Sequence, residues 1–432
     1  MATIETRNPA TDTPIATYDL MSKDEAFAIV EAAHTAFEDW RTRSFEDRGA
    51  VLRKIAGTLR DNSDRIAELM TQEVGKLLRD GKVEVELCAR LFEYAADNGA
   101  EELADEERTH SGGKKRGIVT YQPIGVLYSI QPWNFPLYQP VRVLADNLMA
   151  GNACVLKHAT ICTGTGLLLR DLCLEAGLPK GLFDVILVGH DVSDEIIAHD
   201  KIRAVTMTGS DAAGAHIGKT AAAARKKTVL ELGSNDAYLV LEDADIELAV
   251  KTSVMGRLFN NGETCVSAKR FIVTDAVYDE FIAAFVERMK GAKMGDPMQE
   301  DTQLGPLSSE DQYDTICEQV EKSIAGGATL LCGRRTELPG EPVLRGERGD
   351  GAERLEVGRA LGRGGREQVV ERGVEDLRPE DVDGVADLLE DQLVDRGAAV
   401  HGGGRDDGER PTALERPGAA EEPLRVVERV GV

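Results

Sequence analysis

The sequence of 432 residues lacks the features that would assign it to a membrane or secreted class. No apolar run approaches the roughly 20 residues that a membrane-spanning helix needs. The N-terminus has no basic region followed by an apolar one, as secretory signals have. Seven cysteines, an odd number without paired spacing, argue against a disulfide framework and for reduced thiols. We therefore expect a cytoplasmic protein that has no membrane contact.

The chain is also poor in positive charge. It contains 51 Lys and Arg residues and 76 Asp and Glu residues, and its formal net charge is -25. Because a surface this acidic repels phosphate backbones, we expect no nucleic-acid partner. It suits solubility at high salt, where charges are screened over short distances, and so indicates a salt-adapted host. No metal site is predicted.

A further absence marks the last part of the chain. Residues 341–432 contain no Lys, Ser, Asn, Ile, Phe, Tyr, Trp, Met or Cys. Apart from Thr412, every residue type that remains there can be encoded by a codon beginning with G or C. Such a restricted set of residue types arises when a gene with a GC-rich third codon position is translated in a shifted or antisense frame. We therefore interpret residues 337–432 as a frameshifted, poorly ordered tail; a genuine low-complexity acidic tail is the alternative.

The rest of the chain has the pattern of an α/β protein. Residues 22–108 are predicted to be mainly helical, because apolar residues recur at helical spacing and Ser22 with Glu25 forms a capping-box pattern. From residue 117, short apolar strands alternate with helices, which indicates a parallel sheet with helical crossovers. A second set of strands and helices begins near residue 231.

Asn134 lies in QPWNFPLYQP, between bulky apolar residues and prolines. Proline restricts its neighbours, so we expect Asn134 to occupy a rigid, non-helical turn. A preorganised amide donor is what a developing oxyanion requires. The alternative is an asparagine that only satisfies its own turn.

Two other stretches have the character of a nucleotide site. Lys157 ends an apolar strand in VLKHAT, and nucleotides bind at strand ends of open α/β sheets. In VTMTGSDAAGAHIG, Gly209 and Ser210 separate a strand from a predicted helix, whose first N–H groups would receive a pyrophosphate. Neither stretch alone establishes a nucleotide site. Strand-end lysines are usually solvated, and the glycine spacing differs from the standard G-x-G-x-x-G fingerprint.

Two residues have the chemistry of a base and a nucleophile. Glu231 follows an apolar strand in LELGSND, where burial would raise the pKa of its carboxyl toward that of a general base. Cys265, in LFNNGETCVSAKR, becomes a nucleophile if a helix N-terminus or a nearby cation favours its thiolate. A strand-end glutamate and a packed cysteine are the alternatives. The remaining cysteines are expected to be packed or incidental: Cys88, Cys154, Cys162, Cys173, Cys317 and Cys332.

In this order and approximate spacing, PWNFP, LKHA, TGS, LELG and NNGETC resemble the motifs of the NAD(P)-dependent aldehyde dehydrogenase superfamily. The resemblance covers about residues 4–336, and LKHA, KKTVLELG and AKRFIV are similar to the succinate-semialdehyde dehydrogenase branch. It implies N-terminal helices with a Rossmann-type nucleotide-binding domain over residues 1–230. It also implies a second α/β catalytic domain, of which residues 231–336 are the first part.

The resemblance implies roles for individual residues. Cys265 is expected to attack an aldehyde, Asn134 to hold the oxyanion, and Glu231 to activate the water that hydrolyses the thioester. Arg142 falls where semialdehyde-using members bind the substrate carboxylate; a surface arginine in a salt bridge is the alternative. The implied contacts with NAD or NADP are made by Trp133, Lys157, Thr160, Gly209, Ser210 and Leu232.

Two positions qualify the match. Ser234 replaces a second glycine that usually follows LELG. Thr160 stands where many NAD-preferring members carry a glutamate, and a neutral hydroxyl does not repel a 2′-phosphate, so NADP should be tolerated.

The family would continue well past residue 336. It would add a Glu-Glu-hydrophobic-Phe-Gly-Pro segment and a strand that pairs with a neighbouring subunit in a homo-oligomer. Neither is found in residues 341–432. Two interpretations therefore stay open: an enzyme that oxidises an acidic aldehyde such as succinate semialdehyde, or a catalytically incomplete remnant with at most nucleotide binding. A phosphate-dependent, thioester-forming relative is disfavoured, because Glu231 offers a water-activating base.

Overall fold

The N-terminal part of the protein is a hairpin followed by four helices. The computed structural model describes residues 2–109, 116–333, 357–360 and 424–428, and within these ranges no helix is long and apolar enough to cross a membrane. As predicted, the Ser22 hydroxyl accepts from the Glu25 N–H, while the Glu25 carboxylate accepts from the Ser22 N–H at 2.8 Å. The elements are β1 (Thr3–Arg7), β2 (Pro14–Asp19), α1 (Lys23–Trp40), α2 (Phe45–Asp61), α3 (Ser63–Val74) and α4 (Leu78–Glu102).

A five-stranded parallel sheet follows, as the alternation of strands and helices predicts. It is preceded by the antiparallel pair β3 (Glu106–Thr109) and β4 (Arg116–Val119). Its strands are β5 (Val126–Gln131), β6 (Ala153–His158), β7 (Phe183–Val185), β8 (Ile202–Thr208) and β9 (Lys227–Glu231). The helices between them are α5 (Tyr138–Ala150), α6 (Thr163–Glu175), α7 (His190–Ala198) and α8 (Asp211–Ala223).

The strand order of this sheet is β7-β6-β5-β8-β9. The chain therefore moves outward from β5 to β7, returns to the other side of β5, and moves outward again to β9. This reversal between β5 and β8 is the doubly wound arrangement expected of a Rossmann-type domain. The N-terminal helices share the core of the sheet: Trp40 is fully buried, and its indole N–H donates to the Leu148 carbonyl of α5 at 2.9 Å.

A smaller set of elements follows Glu231 and has its own cluster of buried apolar residues. In this cluster the Phe271 ring lies 6.4 Å from that of Phe281 and 5.1 Å from that of Phe285, centre to centre. The boundary predicted near residue 230 stays a prediction. The elements are β10 (Ala237–Val240), α9 (Ile246–Leu258), β11 (Arg270–Thr274), α10 (Asp275–Lys290), α11 (Glu310–Ala325), β12 (Ala328–Cys332), β13 (Val357–Ala360) and β14 (Leu424–Glu428).

Most of the tail at residues 337–432 lies outside the described residues. Within the tail the structure describes β13, which pairs antiparallel with β12, and β14, which pairs antiparallel with β11. The frameshifted origin and poor order of this segment stay predictions.

Glu73 of α3 caps helix α6 from a distant part of the chain. Its carboxylate accepts from the N–H groups of Gly164 and Thr165 at 2.8 and 2.9 Å, and from the Thr165 hydroxyl at 2.7 Å. The N-cap residue Cys162 provides no side-chain cap, so these donors depend on Glu73. Burial raises the pKa of the Glu73 carboxyl to about 7. The start of α6, just beyond β6, is thus held by α3.

Replacing Glu73 by alanine should destabilise this part of the fold. Glu73→Ala leaves three buried donors without an acceptor, so we expect the free energy of unfolding to fall by roughly 2–4 kcal/mol. Urea unfolding followed by tryptophan fluorescence measures this change. Glu68→Ala, at an exposed position of the same helix, is the matched control and should stay within about 0.5 kcal/mol. Equal losses in both variants would contradict the capping role.

Candidate active site

The residues predicted to contact a dinucleotide lie at or just beyond the carboxyl ends of the sheet strands. Because the strands are parallel, these ends share one edge of the sheet. The strand order reverses between β5 and β8, and ligands of open α/β sheets bind at such a reversal. The predicted nucleotide contacts at this edge are Trp133, Lys157, Thr160, Gly209, Ser210 and Leu232.

The start of α8 is shaped by three local contacts. The Ser210 hydroxyl accepts from the Ala213 N–H at 3.3 Å, and the Gly209 N–H donates to the Glu231 carbonyl at 3.0 Å. These two N–H groups are therefore used inside the protein, and a pyrophosphate would meet the other donors of the first turn. Leu232 lies directly against Gly214, since a Cβ on that glycine would collide with the leucine side chain.

Lys157 and His158 end β6 in different environments. Lys157 is half-buried, and burial lowers the pKa of its ammonium group. His158 is buried and holds the neighbouring turn: the Ala159 N–H donates to its Nδ1 at 2.9 Å, so Nε2 carries the proton and donates to the Pro136 carbonyl at 2.7 Å. Burial lowers the pKa of His158 to about 4, which keeps the ring neutral. Thr160, in the next turn, is exposed.

Asn134 lies in the non-helical turn between β5 and α5, as predicted from the prolines. Its side-chain Nδ2 donates to the Glu263 carbonyl at 2.8 Å. Its own carbonyl accepts from Asn260 Nδ2, also at 2.8 Å. Because Glu263 is two residues before Cys265, these bonds join the asparagine turn to the loop of the cysteine.

The cysteine loop begins with three consecutive residues in the left-handed conformation. Asn260, Asn261 and Gly262 have φ values of 54°, 56° and 76°. Asparagine and glycine tolerate this region better than other residues, which is why this loop forms at NNG. Asn261 anchors the loop to the N-terminal part, since its Nδ2 donates to the Gly75 carbonyl at 2.9 Å.

Cys265 lies in a turn between this loop and β11, not at the start of a helix. Of the two features that could favour a thiolate, the helix N-terminus is absent here, whereas a cation is nearby: Lys269 Nζ donates to the Cys265 carbonyl at 2.7 Å. Cys265 is half-buried, whereas four other cysteines are buried as predicted: Cys88, Cys154, Cys162 and Cys173. Burial raises the pKa of the Cys154 thiol to about 12. Cys317 and Cys332 are half-buried rather than fully packed.

Glu231 ends β9, and its side chain is 53% exposed, so the burial that would favour a general base is not present at this carboxylate. Its strand forms the edge of the sheet, which leaves the side chain open on the described surface. Arg142 of α5 lies beside it: its guanidinium is 3.9 Å from the Glu231 carboxylate and donates to the Thr208 hydroxyl at 3.0 Å. The structure thus joins Arg142 to Glu231, and Asn134 to the cysteine loop.

Comparison with known proteins identifies the family. The sequence model of the aldehyde dehydrogenase family matches residues 1–344. The chain belongs to the aldehyde dehydrogenase family. This aldehyde dehydrogenase is 41% identical over 339 residues to "Succinate-semialdehyde dehydrogenase (NADP(+)) 1" of Mycobacterium tuberculosis, which covers 78% of this chain and 74% of the relative.

Solved structures agree with the family and with the succinate-semialdehyde dehydrogenase branch. A succinic semialdehyde dehydrogenase from Streptococcus pyogenes, solved with NADP+, is 37% identical with a TM-score of 0.74, over 76% of this chain and 72% of the other. A succinate-semialdehyde dehydrogenase from Burkholderia pseudomallei is 33% identical with a TM-score of 0.75, over 78% of this chain and 70% of the other. The predicted family and α/β fold are confirmed.

Sequence reasoning missed the polar residues that support the site of this aldehyde dehydrogenase. Asn260 was visible in NNG, whose left-handed preference is a turn signal. Glu263 precedes Cys265 but carried no signal of its own, and Lys76 and Glu84 look like ordinary charged residues of a helical region. Only their contacts across the fold distinguish them.

The Glu263 side chain also contacts a distant segment of the chain. Its carboxylate accepts from the Ser308 N–H at 3.1 Å, and burial raises its pKa from 4.5 to about 8. The folded state therefore favours the neutral, protonated carboxyl in the cysteine loop.

This raised pKa predicts a pH-dependent stability. Since the folded pKa exceeds the unfolded one, the contribution of Glu263 is complete below about pH 4.5 and is lost as the pH rises through about 8. Glu263→Gln stays neutral, so its melting temperature should fall less than that of the wild type between about pH 5 and pH 9. Glu280→Gln, at an exposed position of α10, is the matched control. Parallel pH profiles for wild type and Glu263→Gln would contradict the prediction.

Proposed function

We propose that this aldehyde dehydrogenase oxidises an acidic aldehyde, succinate semialdehyde or a similar one, to the carboxylic acid with NADP or NAD. The observation that carries the proposal is the bond from Asn134 Nδ2 to the Glu263 carbonyl, two residues before Cys265. One amide hydrogen is used in that bond, and the second remains to donate to an oxyanion beside the nucleophile.

The proposed chemistry begins at Cys265. Its thiolate attacks the carbonyl carbon, a C–S bond forms, and the carbonyl oxygen becomes an oxyanion. The Asn134 amide and the Cys265 backbone N–H donate to that oxygen. A dinucleotide bound at the sheet edge supplies the acceptor for the hydride of the aldehyde carbon. The thioester on Cys265 is then hydrolysed, which releases the acid and restores the thiol.

Glu231 is the proposed base for the hydrolysis. It takes a proton from the water that attacks the thioester carbon. The exposure of its carboxylate supports access by water, and its position at the end of β9 supports a place beside the dinucleotide. The nearby Arg142 guanidinium, 3.9 Å away, would orient this carboxylate.

Several observations support a dinucleotide at the switch point of the sheet. Gly214 leaves space for Leu232, and Lys157 is held half-buried at the same edge, where it can reach ribose or phosphate. Thr160 presents a neutral, exposed hydroxyl, which does not repel a 2′-phosphate. The mycobacterial relative carries NADP(+) in its name, which favours NADP for this chain.

Replacement of the nucleophile tests the proposal. The full chain should oxidise succinate semialdehyde with NADP or NAD, and Cys265→Ala should lower kcat by at least about 10³-fold because no covalent adduct forms. Cys317→Ala, a change of another half-buried cysteine, is the matched control and should keep full activity. Absorbance of the reduced nicotinamide measures the rate. Turnover that survives in Cys265→Ala would contradict the assignment.

Substrate selection is tested at Arg142. If this guanidinium pairs with the substrate carboxylate, Arg142→Met should raise KM for succinate semialdehyde roughly tenfold to a hundredfold. The KM for butanal, which has no carboxylate, should change little. Arg142→Lys keeps the charge and should show a smaller loss. Equal changes in KM for both aldehydes would contradict pairing with the substrate carboxylate. They would indicate instead that Arg142 acts by orienting Glu231 or by stabilising the fold.

A catalytically incomplete protein with at most nucleotide binding is the second candidate. It is favoured by one observation: the family match covers residues 1–344 and does not extend over residues 345–432. Binding of NADP without oxidation of any aldehyde by the wild-type chain would support this candidate.

A further inference from the structure

A chain of buried polar contacts leads from the N-terminal helices to the proposed catalytic residues. Lys76, Glu84 and Asn260 are each only 3% exposed. They come from the connection before α4, from α4 itself and from the left-handed loop before Cys265. Burial of charged and amide groups is costly unless they are paired, so their contacts decide how these segments fit together.

Glu84 fixes the turn of Asn134 from one side. Its Oε1 accepts from the N–H groups of Leu137 and Tyr138 at 2.8 and 2.9 Å. These are the first donors of α5, whose own N-cap residue provides no side-chain cap. The carboxylate of α4 therefore fixes the point at which the turn ends and α5 begins.

Lys76 joins Glu84 to the cysteine loop. Its Nζ is 2.9 Å from Glu84 Oε2, an ion pair without hydrogen-bond geometry, and it donates to Asn260 Oδ1. It also lies over the Phe135 ring, 4.3 Å from the centroid. The ammonium group is thus surrounded by one carboxylate, one amide oxygen and one aromatic face.

The orientation of the Asn260 amide follows from this contact. An ammonium group has only donors, so the amide must turn its oxygen toward Lys76. Its NH₂ group then faces the other way and donates to the Asn134 carbonyl at 2.8 Å. Asn134 in turn donates to the Glu263 carbonyl. Each bond determines the direction of the next.

We propose that Lys76 and Asn260 are positioning residues for the oxidation of the aldehyde: through the Asn260 amide they set the place of Asn134 relative to Cys265. This inference rests on the proposed function. A misplacement of about 1 Å at a reacting centre can cost on the order of 10²-fold in rate, so such a role is visible in kcat.

A purely structural role makes a different prediction. Buried ion pairs often contribute little net stability, and a role confined to the fold would lower stability without a selective effect on kcat. Lys76 itself is an ambiguous test, because its removal leaves the Glu84 carboxylate buried without its ion-pair partner. Asn260 is the better position.

Asn260→Gly tests the proposal, because glycine adopts the φ of 54° while the side chain and both of its bonds are removed. The matched control is Arg225→Gly, which also replaces a left-handed residue, with a φ of 59°, at an exposed position after α8. We expect kcat for Asn260→Gly to fall roughly tenfold to a hundredfold, with KM for aldehyde and dinucleotide within about twofold. Arg225→Gly should keep the wild-type kcat.

A second measurement does not depend on turnover. Hydrogen exchange of the amides in residues 132–138 and 258–266 should be at least about tenfold faster in Asn260→Gly, with exchange in α2 and α6 unchanged. Asn260→Asp retains an oxygen for Lys76 but loses the donor to Asn134, and it should show the same loss in kcat. Because it keeps a side chain that tolerates the left-handed conformation, it serves if the glycine variant fails to fold.

The outcomes separate the two proposals. Unchanged exchange in both segments, or exchange that rises equally throughout the protein, would overturn the positioning role. An inactive wild-type chain would overturn the proposed function, and the exchange measurement would then decide the positioning role alone.

Discussion

The buried ion pair between Lys76 and Glu84 is the contact on which the arrangement of the site depends. Its atoms are 2.9 Å apart, and neither side chain is accessible to solvent to any useful extent. Each partner has a further role: Glu84 accepts from the first N–H groups of α5, and Lys76 donates to Asn260. A charge in this environment must be paired, so the connection before α4, the α5 turn and the cysteine loop are held in one geometry.

The parallel sheet supplies the second constraint. Its strand order reverses between β5 and β8, and the segments after those strands open on one edge. The Asn134 turn and the start of α8 therefore become neighbours of the same crevice although they are far apart in sequence. Two buried side chains stabilise segments at this edge. Glu73 accepts a hydrogen bond from the start of α6, and His158 donates one to the Pro136 carbonyl.

Much of this arrangement could be predicted from the sequence because the signals are local. The capping box at Ser22, the prolines around Asn134 and the strand ends at Lys157 and Gly209 each depend on a few neighbouring residues. Similarity of five short motifs to the aldehyde dehydrogenases added the family, which the comparison confirms over residues 1–344. The roles of Cys265, Glu231 and Arg142 stay proposals.

The points that the sequence left open concern burial and neighbours in space. The apolar strand before Glu231 left room for a buried carboxylate, but β9 is an edge strand and the Glu231 side chain is 53% exposed. For Cys265 the sequence left open a helix N-terminus or a nearby cation, and the left-handed turn at Asn260 and Asn261 leads toward β11 and not into a helix. Neither the position of a strand within a sheet nor the direction of a chain after a turn is encoded by residue type alone.

The sequence by itself determined the family and the alternation of strands and helices, and it singled out Cys265 as the candidate nucleophile, since periodicity and short motifs are properties of neighbouring residues. Only the tertiary structure decided that Lys76, Glu84 and Asn260 meet one another beside the Asn134 turn and the cysteine loop. Their side chains meet across as many as 184 positions of sequence. No local pattern distinguishes a lysine that will be buried against a carboxylate from one that will face water, because the difference lies in which distant groups the fold brings to it.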